Sequence, residues 1–164
     1  MIIDVDKWNK IYENNKRLDK IFYEKYKSDE KIFRKNCLEF LTELGEFLNE
    51  TKVFKYWSIK KPIKEKVLEE YADNLTICLT FFREKEITLK RRYYHTKKTD
   101  VLEIANDLYG LISFIMYHCS KDLLENIFGN LLYLGSLLGI DEDETITAIE
   151  KKHKIIEERL NSDY

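Results

Sequence analysis

At 164 residues the chain is long enough for one domain, residues 1–164, with a sizeable hydrophobic core. Five glycines and one proline leave little turn chemistry for a many-stranded β fold, while 44% hydrophobic and 35% charged residues suit a soluble helical protein. Lys and Arg total 28 against 30 Asp and Glu, a balance that neither requires nor excludes a polyanionic partner.

Apolar residues recur with a helical period almost throughout, which predicts an all-α, multi-helix bundle. A first helix is expected over 4–27, burying Trp8, Ile11, Leu18, Ile21 and Phe22. A second is expected over 31–51, with Leu41, Leu44, Phe47 and Leu48 on its apolar face. On its other side Glu39, Glu43, Glu46 and Glu50 make one acidic stripe. Like charges at that spacing destabilise a helix by roughly a few tenths of a kcal/mol per pair, and one such stripe alone reads as a solvated face.

A linker from Lys52 to Pro62 carries Phe54, Lys55, Tyr56 and Trp57, and Pro62 suits the first turn of the next helix. That third helix, expected over 63–82, has Leu68, Tyr71, Leu75, Leu79 and Phe82 on its main stripe. Ile77 falls on the side of Glu70 and Asp73, so the helix is apolar on two sides and expected at the centre of the bundle.

Residues 83–98 are strongly basic and show no helical period. Arg91, Arg92, Tyr93, Tyr94 and His95 are of a type that binds nucleic acid, but no motif accompanies them. A solvated charged loop is expected there, and nucleic acid is not expected as a partner. Three further helices follow. One runs over 100–118 with Thr99 or Asp100 as cap, and one over 121–138 ends near Gly139. The last runs over 141–160, opened by the capping-box pattern Asp141-x-x-Glu144 and carrying Lys151, Lys152, Lys154 and Arg159.

Cys37, Cys78 and Cys119 are isolated, so neither a zinc site nor a disulfide framework is indicated. The start MIIDVDKW lacks a secretory signal's basic and apolar regions, and the apolar run near Leu111–Met116 is too short to span a bilayer. A cytoplasmic protein, not membrane-bound, is expected. Gly-rich phosphate loops, HExxH and nucleophile motifs are missing, and His95, His118 and His153 are expected to be structural or exposed.

Two acidic pairs remain, Glu43-x-x-Glu46 and Glu70-x-x-Asp73, 27 residues apart. Each pair projects two carboxylates from one helix face, and the offset suits two antiparallel helices joined by a turn. Carboxylates brought together on a partly desolvated helix need a compensating cation, and an all-oxygen set suits Mg²⁺. Such an ion neutralises phosphate charge and positions a water, whose proton a carboxylate accepts. With a basic terminal helix for phosphate and an aromatic linker for a base, the combination predicts nucleotide hydrolysis.

The stretch ELGEFLNETKVFKYWS (Glu43–Ser58), followed by LEEYADNL (Leu68–Leu75), closely resembles the dimeric all-α dUTPases, relatives of the MazG-like nucleotide pyrophosphatases. The likeness continues, more loosely, in LGIDEDETITAIEKKHK (Leu138–Lys154) and in Tyr164. The resemblance implies that Glu43, Glu46, Glu70 and Asp73 hold Mg²⁺ and that Glu46 activates the attacking water. It implies that Lys152 and Arg159 contact phosphates, and that Lys55 and Trp57 lie near the nucleotide. The implied reaction is dUTP plus water to dUMP and pyrophosphate, with dUDP also accepted, in a homodimer. A leucine-rich helix over 121–138, apolar around much of its girth, points the same way.

The chain departs from the family pattern at four positions. Ile156 stands for an Asn and Glu157 for a His in the terminal pattern, Thr76 for a His beside the base, and Asn15 for a base-contacting Gln. The metal ligands are kept while base and phosphate contacts are shortened, which predicts weaker base discrimination. Two alternatives therefore stand beside dUTP hydrolysis: a pyrophosphatase for another or modified nucleoside triphosphate, and a helical binding protein without turnover.

Overall fold

The computed structural model describes residues 1–26 and 31–162. Tyr164 and the end of the first expected helix, residue 27, lie outside the described residues. Six helices are described: α1 (Val5–Tyr26), α2 (Ile32–Thr51), α3 (Lys64–Glu84), α4 (Val101–Ile115), α5 (Lys121–Leu137) and α6 (Glu142–Asn161).

Their ends follow local chemistry. Asp100 and Ser120 cap α4 and α5 by accepting main-chain hydrogen bonds from Leu102 and Leu123. Asp141 and Glu144 form a complete capping box at α6. α2 stops where Lys52 turns left-handed, and Gly139 takes a positive φ of 77° between α5 and α6. α3 starts later than its proline suggests: Ile63 is the N-cap, so Pro62 lies outside the first turn.

α2 and α3 run antiparallel. Along the pair, Asn36 meets Glu84, Phe40 stacks on Phe81, Asn74 reaches Glu43 and Phe47 packs on Tyr71. α3 is the central helix, in contact with α1, α2, α5 and α6. Eleven of its residues are buried, from Val67 to Phe82. α1 and α6 cover one side of it and α5 another, while α4 packs between α5 and α2.

The leucine-rich helix, α5, is absorbed by this arrangement. Leu124, Ile127, Phe128, Leu131, Leu132 and Leu134 are all in the core. Its apolar girth therefore reflects burial inside one chain and gives no argument for a second copy. At α1, Trp8, Ile11 and Leu18 are buried, whereas Ile21 and Phe22 are 38% and 42% exposed. The C-terminal half of α1 borders a cleft, which Leu18, Asp19, Phe22, Tyr23 and Tyr26 line.

Arg83 and Glu84 end α3, and most of residues 85–98 are exposed as expected of a charged loop, but three positions are buried. Ile87, Leu89 and Tyr93 are buried at every second or fourth position, the alternation of an extended chain. The segment is strapped to the N-terminus: Ile3 N donates to Arg91 O at 3.0 Å and Tyr93 N to Met1 O at 2.9 Å. The basic side chains occupy the outward positions, which masks the period when charge alone is read. Among the described residues, no single helix is long and apolar enough to cross a membrane.

Candidate active site

The acidic pairs sit on the antiparallel helices α2 and α3. From α2 come Glu43 and Glu46, and from α3 Glu70 and Asp73. One carboxylate oxygen from each of Glu43, Glu46 and Glu70 lies within 4.8 Å of the others. Asp73 stands beside this group and pairs with Lys152 of α6, Nζ to Oδ1 2.5 Å. Burial pushes the Glu43 carboxyl up to about 7, helped by the neighbouring charges of Asp73 and Glu46. Burial likewise raises Glu70 and Asp73; for Asp73 it outweighs the lysine. The group is thus short of positive charge, and its all-oxygen donors match a hard divalent cation.

From Glu43 and Asp73 a cleft of about 350 Å³ runs between α1, α2, α3 and α6. Asn15, Thr76, Lys152, Ile156 and Arg159 line it. So do Phe22 of α1, expected in the core, and residues that the sequence reading left unassigned: Asp19, Tyr23 and Tyr26 of α1, Asn36 of α2, and Thr80 of α3. Asn15, Asp19, Phe22 and Tyr26 share one face of α1 at helical spacing. That spacing was visible, but apolar and polar residues mix along it, so it reads as neither core nor site.

Asp19 is the acidic group in this wall. It accepts from Thr80 Oγ1 at 3.1 Å and pairs with Arg83 at 3.1 Å, yet burial still pushes its carboxyl up to about 6. Thr76 has little to offer a ligand by donation. Its hydroxyl bonds back to the carbonyls of Ala72 and Asp73, at 3.0 and 2.9 Å. Ile156 gives the α6 wall an apolar face. Lys55 and Trp57 are not among the residues lining the cleft: Trp57 is 63% exposed and packs edge-on against Tyr56, while the Lys55 ammonium lies over Phe54.

His153, expected to be structural or exposed, is structural: it is buried. Its ring lies between Asn14 and Asn15, 3.0 Å from each. Burial, with the charge of Arg17 adding, lowers its pKa to about 4 and keeps it neutral near pH 7.

Carboxylates gathered on an all-α frame, with a lysine against them and a cleft alongside, are the kind of site in which phosphate anhydrides are hydrolysed. A family model described as dUTPase matches residues 7–164. The chain belongs to that family, the all-α dUTPases, and is a dUTP-hydrolysing enzyme. No curated protein matches the chain.

Proposed function

We propose that the protein hydrolyses dUTP to dUMP and pyrophosphate in a Mg²⁺-dependent reaction, accepts dUDP as well, and works as a homodimer. The observation that carries the metal dependence is the approach of Glu43, Glu46 and Glu70 to within 4.8 Å, next to a cleft of nucleotide size. Three carboxylates so close repel one another, and a shared cation relieves that repulsion.

Glu43, Glu46, Glu70 and Asp73 would hold the cation. When bound, it neutralises phosphate charge and acidifies a water. Glu46, the exposed member of the group, receives the proton of the attacking water. Lys152 neutralises Asp73 in the free protein and reaches, with Arg159, toward the phosphate chain. The base lies between Asn15, Thr76 and Ile156, with the aromatic residues of α1 at the far end. Lys55 and Trp57, on the linker that follows α2, would approach the nucleotide from outside the cleft lining.

The case for a dimer rests on the family and on the outer side of α4, where Leu102 and Phe114 are half exposed with Tyr117 just beyond.

The test is pyrophosphate release from dUTP, with and without Mg²⁺, followed by product identification. Expected are dUMP and pyrophosphate in equal amounts, dUMP and phosphate from dUDP, and loss of both reactions on chelation. Turnover unaffected by chelation would remove the metal from the mechanism.

A further inference from the structure

The α1 wall of the cleft carries a run of side-chain contacts with only one consistent direction. Glu157 of α6 pairs with Arg17, Oε1 to Nη2 2.8 Å. Arg17 Nε donates to Asn14 Oδ1 at 3.0 Å. A guanidinium has donors only, so Asn14 turns its oxygen to Arg17 and its NH₂ away. That NH₂ lies 3.0 Å from Nδ1 of His153. Nδ1 must therefore accept, which places the proton of the neutral ring on Nε2. Nε2 lies 3.0 Å from Asn15 Oδ1 and donates to it.

The oxygen of Asn15 is thus occupied, and its NH₂ faces the cleft. There it meets only long contacts, to Thr80 Oγ1 at 3.3 Å, Asp19 Oδ2 at 3.4 Å and Thr76 O at 3.5 Å. These sit beyond the usual range for N–H···O bonds, so the donor is available to a better acceptor. Turning the amide over would set NH₂ against the Nε2–H of His153 and Oδ1 against the Asp19 carboxylate. Both contacts are repulsive in a buried site, so the orientation is held from both ends.

We propose that His153 is a positioning residue which, through the relay Glu157–Arg17–Asn14–His153, fixes the Asn15 amide with its NH₂ toward the base. The site then selects a pyrimidine with a keto oxygen at C4 over one with an amino group there. This rests on the reading that the cleft takes a deoxyuridine nucleotide. A keto oxygen accepts from Asn15, whereas the amino group of cytosine sets donor against donor and leaves a buried group unpaired. The relay makes no demand at C5, so thymine is separated from uracil elsewhere or not at all. Glu157 and Asn15, two of the departures from the family pattern, are the two ends of one hydrogen-bonded device.

Two measurements test this. Long-range ¹H–¹⁵N correlation of the His153 ring in the unmodified protein at pH 7 reads the tautomer with no substrate present. The Nε2–H form is expected; the Nδ1–H form or an imidazolium overturns the relay. The second compares kcat/KM for dUTP, dCTP and dTTP in the unmodified protein, His153→Leu and His153→Gln, the last of which keeps an N–H donor. His153→Leu is expected to lower the dUTP/dCTP ratio about tenfold or more, chiefly through the KM for dUTP, and His153→Gln to keep it within about threefold. The dUTP/dTTP ratio should stay the same in all three proteins. An unchanged dUTP/dCTP ratio in His153→Leu overturns the proposal. If that variant does not fold, Asn14→Leu, which frees the tautomer, must lower the ratio in the same direction or the proposal fails. An unmodified protein that turns over none of the three nucleotides contradicts the functional reading instead, and the tautomer then decides the relay.

Discussion

Asn74 of α3 donates its side-chain amide to two main-chain carbonyls, to Glu43 O across the helix pair at 2.8 Å and to Glu70 O one turn back at 2.9 Å. It is fully buried and joins the two backbone positions from which the opposed carboxylates project. Its own Oδ1 is buried with no hydrogen-bond partner among the described residues. The two hydrogen bonds of the NH₂ group offset the cost of leaving that oxygen unpaired.

Asn74→Leu is therefore expected to lower stability by roughly 1–2 kcal/mol, since it removes two hydrogen bonds and one unpaired acceptor together. It should also weaken Mg²⁺ binding, because the carboxylates lose a shared reference point. Calorimetric melts and metal titration check both effects. Unchanged metal affinity would show that side-chain packing alone sets the carboxylate spacing.

Mg²⁺ should raise the melting temperature, because it binds an arrangement that only the folded chain presents. At a hundredfold excess over Kd the gain is about 2.7 kcal/mol. Glu46→Gln should abolish turnover with helix content by circular dichroism unchanged. A fully active Glu46→Gln protein would remove Glu46 from the role of base.

Stability should fall with acid through His153. Its pKa is lowered to about 4 in the fold, against an ordinary value of 6.5. Between those values the unfolded chain binds the extra proton, so stability rises with pH across the window and the contribution is complete above about 6.5. The full effect is on the order of 2–3 kcal/mol for a group this buried. Denaturation of the unmodified protein and His153→Leu at pH 4.5 and 7 reads it. The difference between the two proteins should favour the unmodified one more at pH 7.

Two glycines on neighbouring helices should respond in opposite directions to alanine. A Cβ on Gly129 of α5 would lie 1.9 Å from the main-chain oxygen of Tyr94, in the strap over the core. Main chain cannot swing aside as a side-chain tip can, so Gly129→Ala should cost about 2 kcal/mol or more. A Cβ on Gly110 of α4 meets nothing within 4 Å. Gly110→Ala should then add roughly 0.5–1 kcal/mol by helix propensity. Urea melts of the two variants decide it, and a stable Gly129→Ala protein would mean the strap is loosely held.

Light scattering at micromolar concentration should give the mass of two chains. Leu102→Glu with Phe114→Glu, both on the half-exposed side of α4, should give the mass of one. A single-chain mass for the unmodified protein would refute the dimer.

The sequence by itself determined what depends on neighbours along the chain. Helical period, the caps at Asp100 and Asp141, the turn at Gly139 and the two acidic pairs all follow from residues within about one or two turns of one another. The i, i+3 spacing of Glu43 and Glu46, and of Glu70 and Asp73, places each pair on one face whatever the rest of the chain does. The family resemblance lay in the same local stretches, Glu43–Ser58 above all.

Tertiary structure decided which of these local faces meet. Lys152 reaches Asp73, and His153 reaches Asn15 across 138 positions, only because α6 packs against α1 and α3. His153 was expected to be structural or exposed because a lone histidine carries no local sign of its partners. The strap after α3 escaped for a related reason: its buried Ile87, Leu89 and Tyr93 are set among exposed, mostly charged residues, and what holds Arg91 and Tyr93 is the start of the chain. Phe22 was expected in the core because its helical face is apolar, yet it is half exposed and lines the cleft. Periodicity tells which side of a helix avoids water; it does not tell whether that side meets protein or bounds a space left for a ligand.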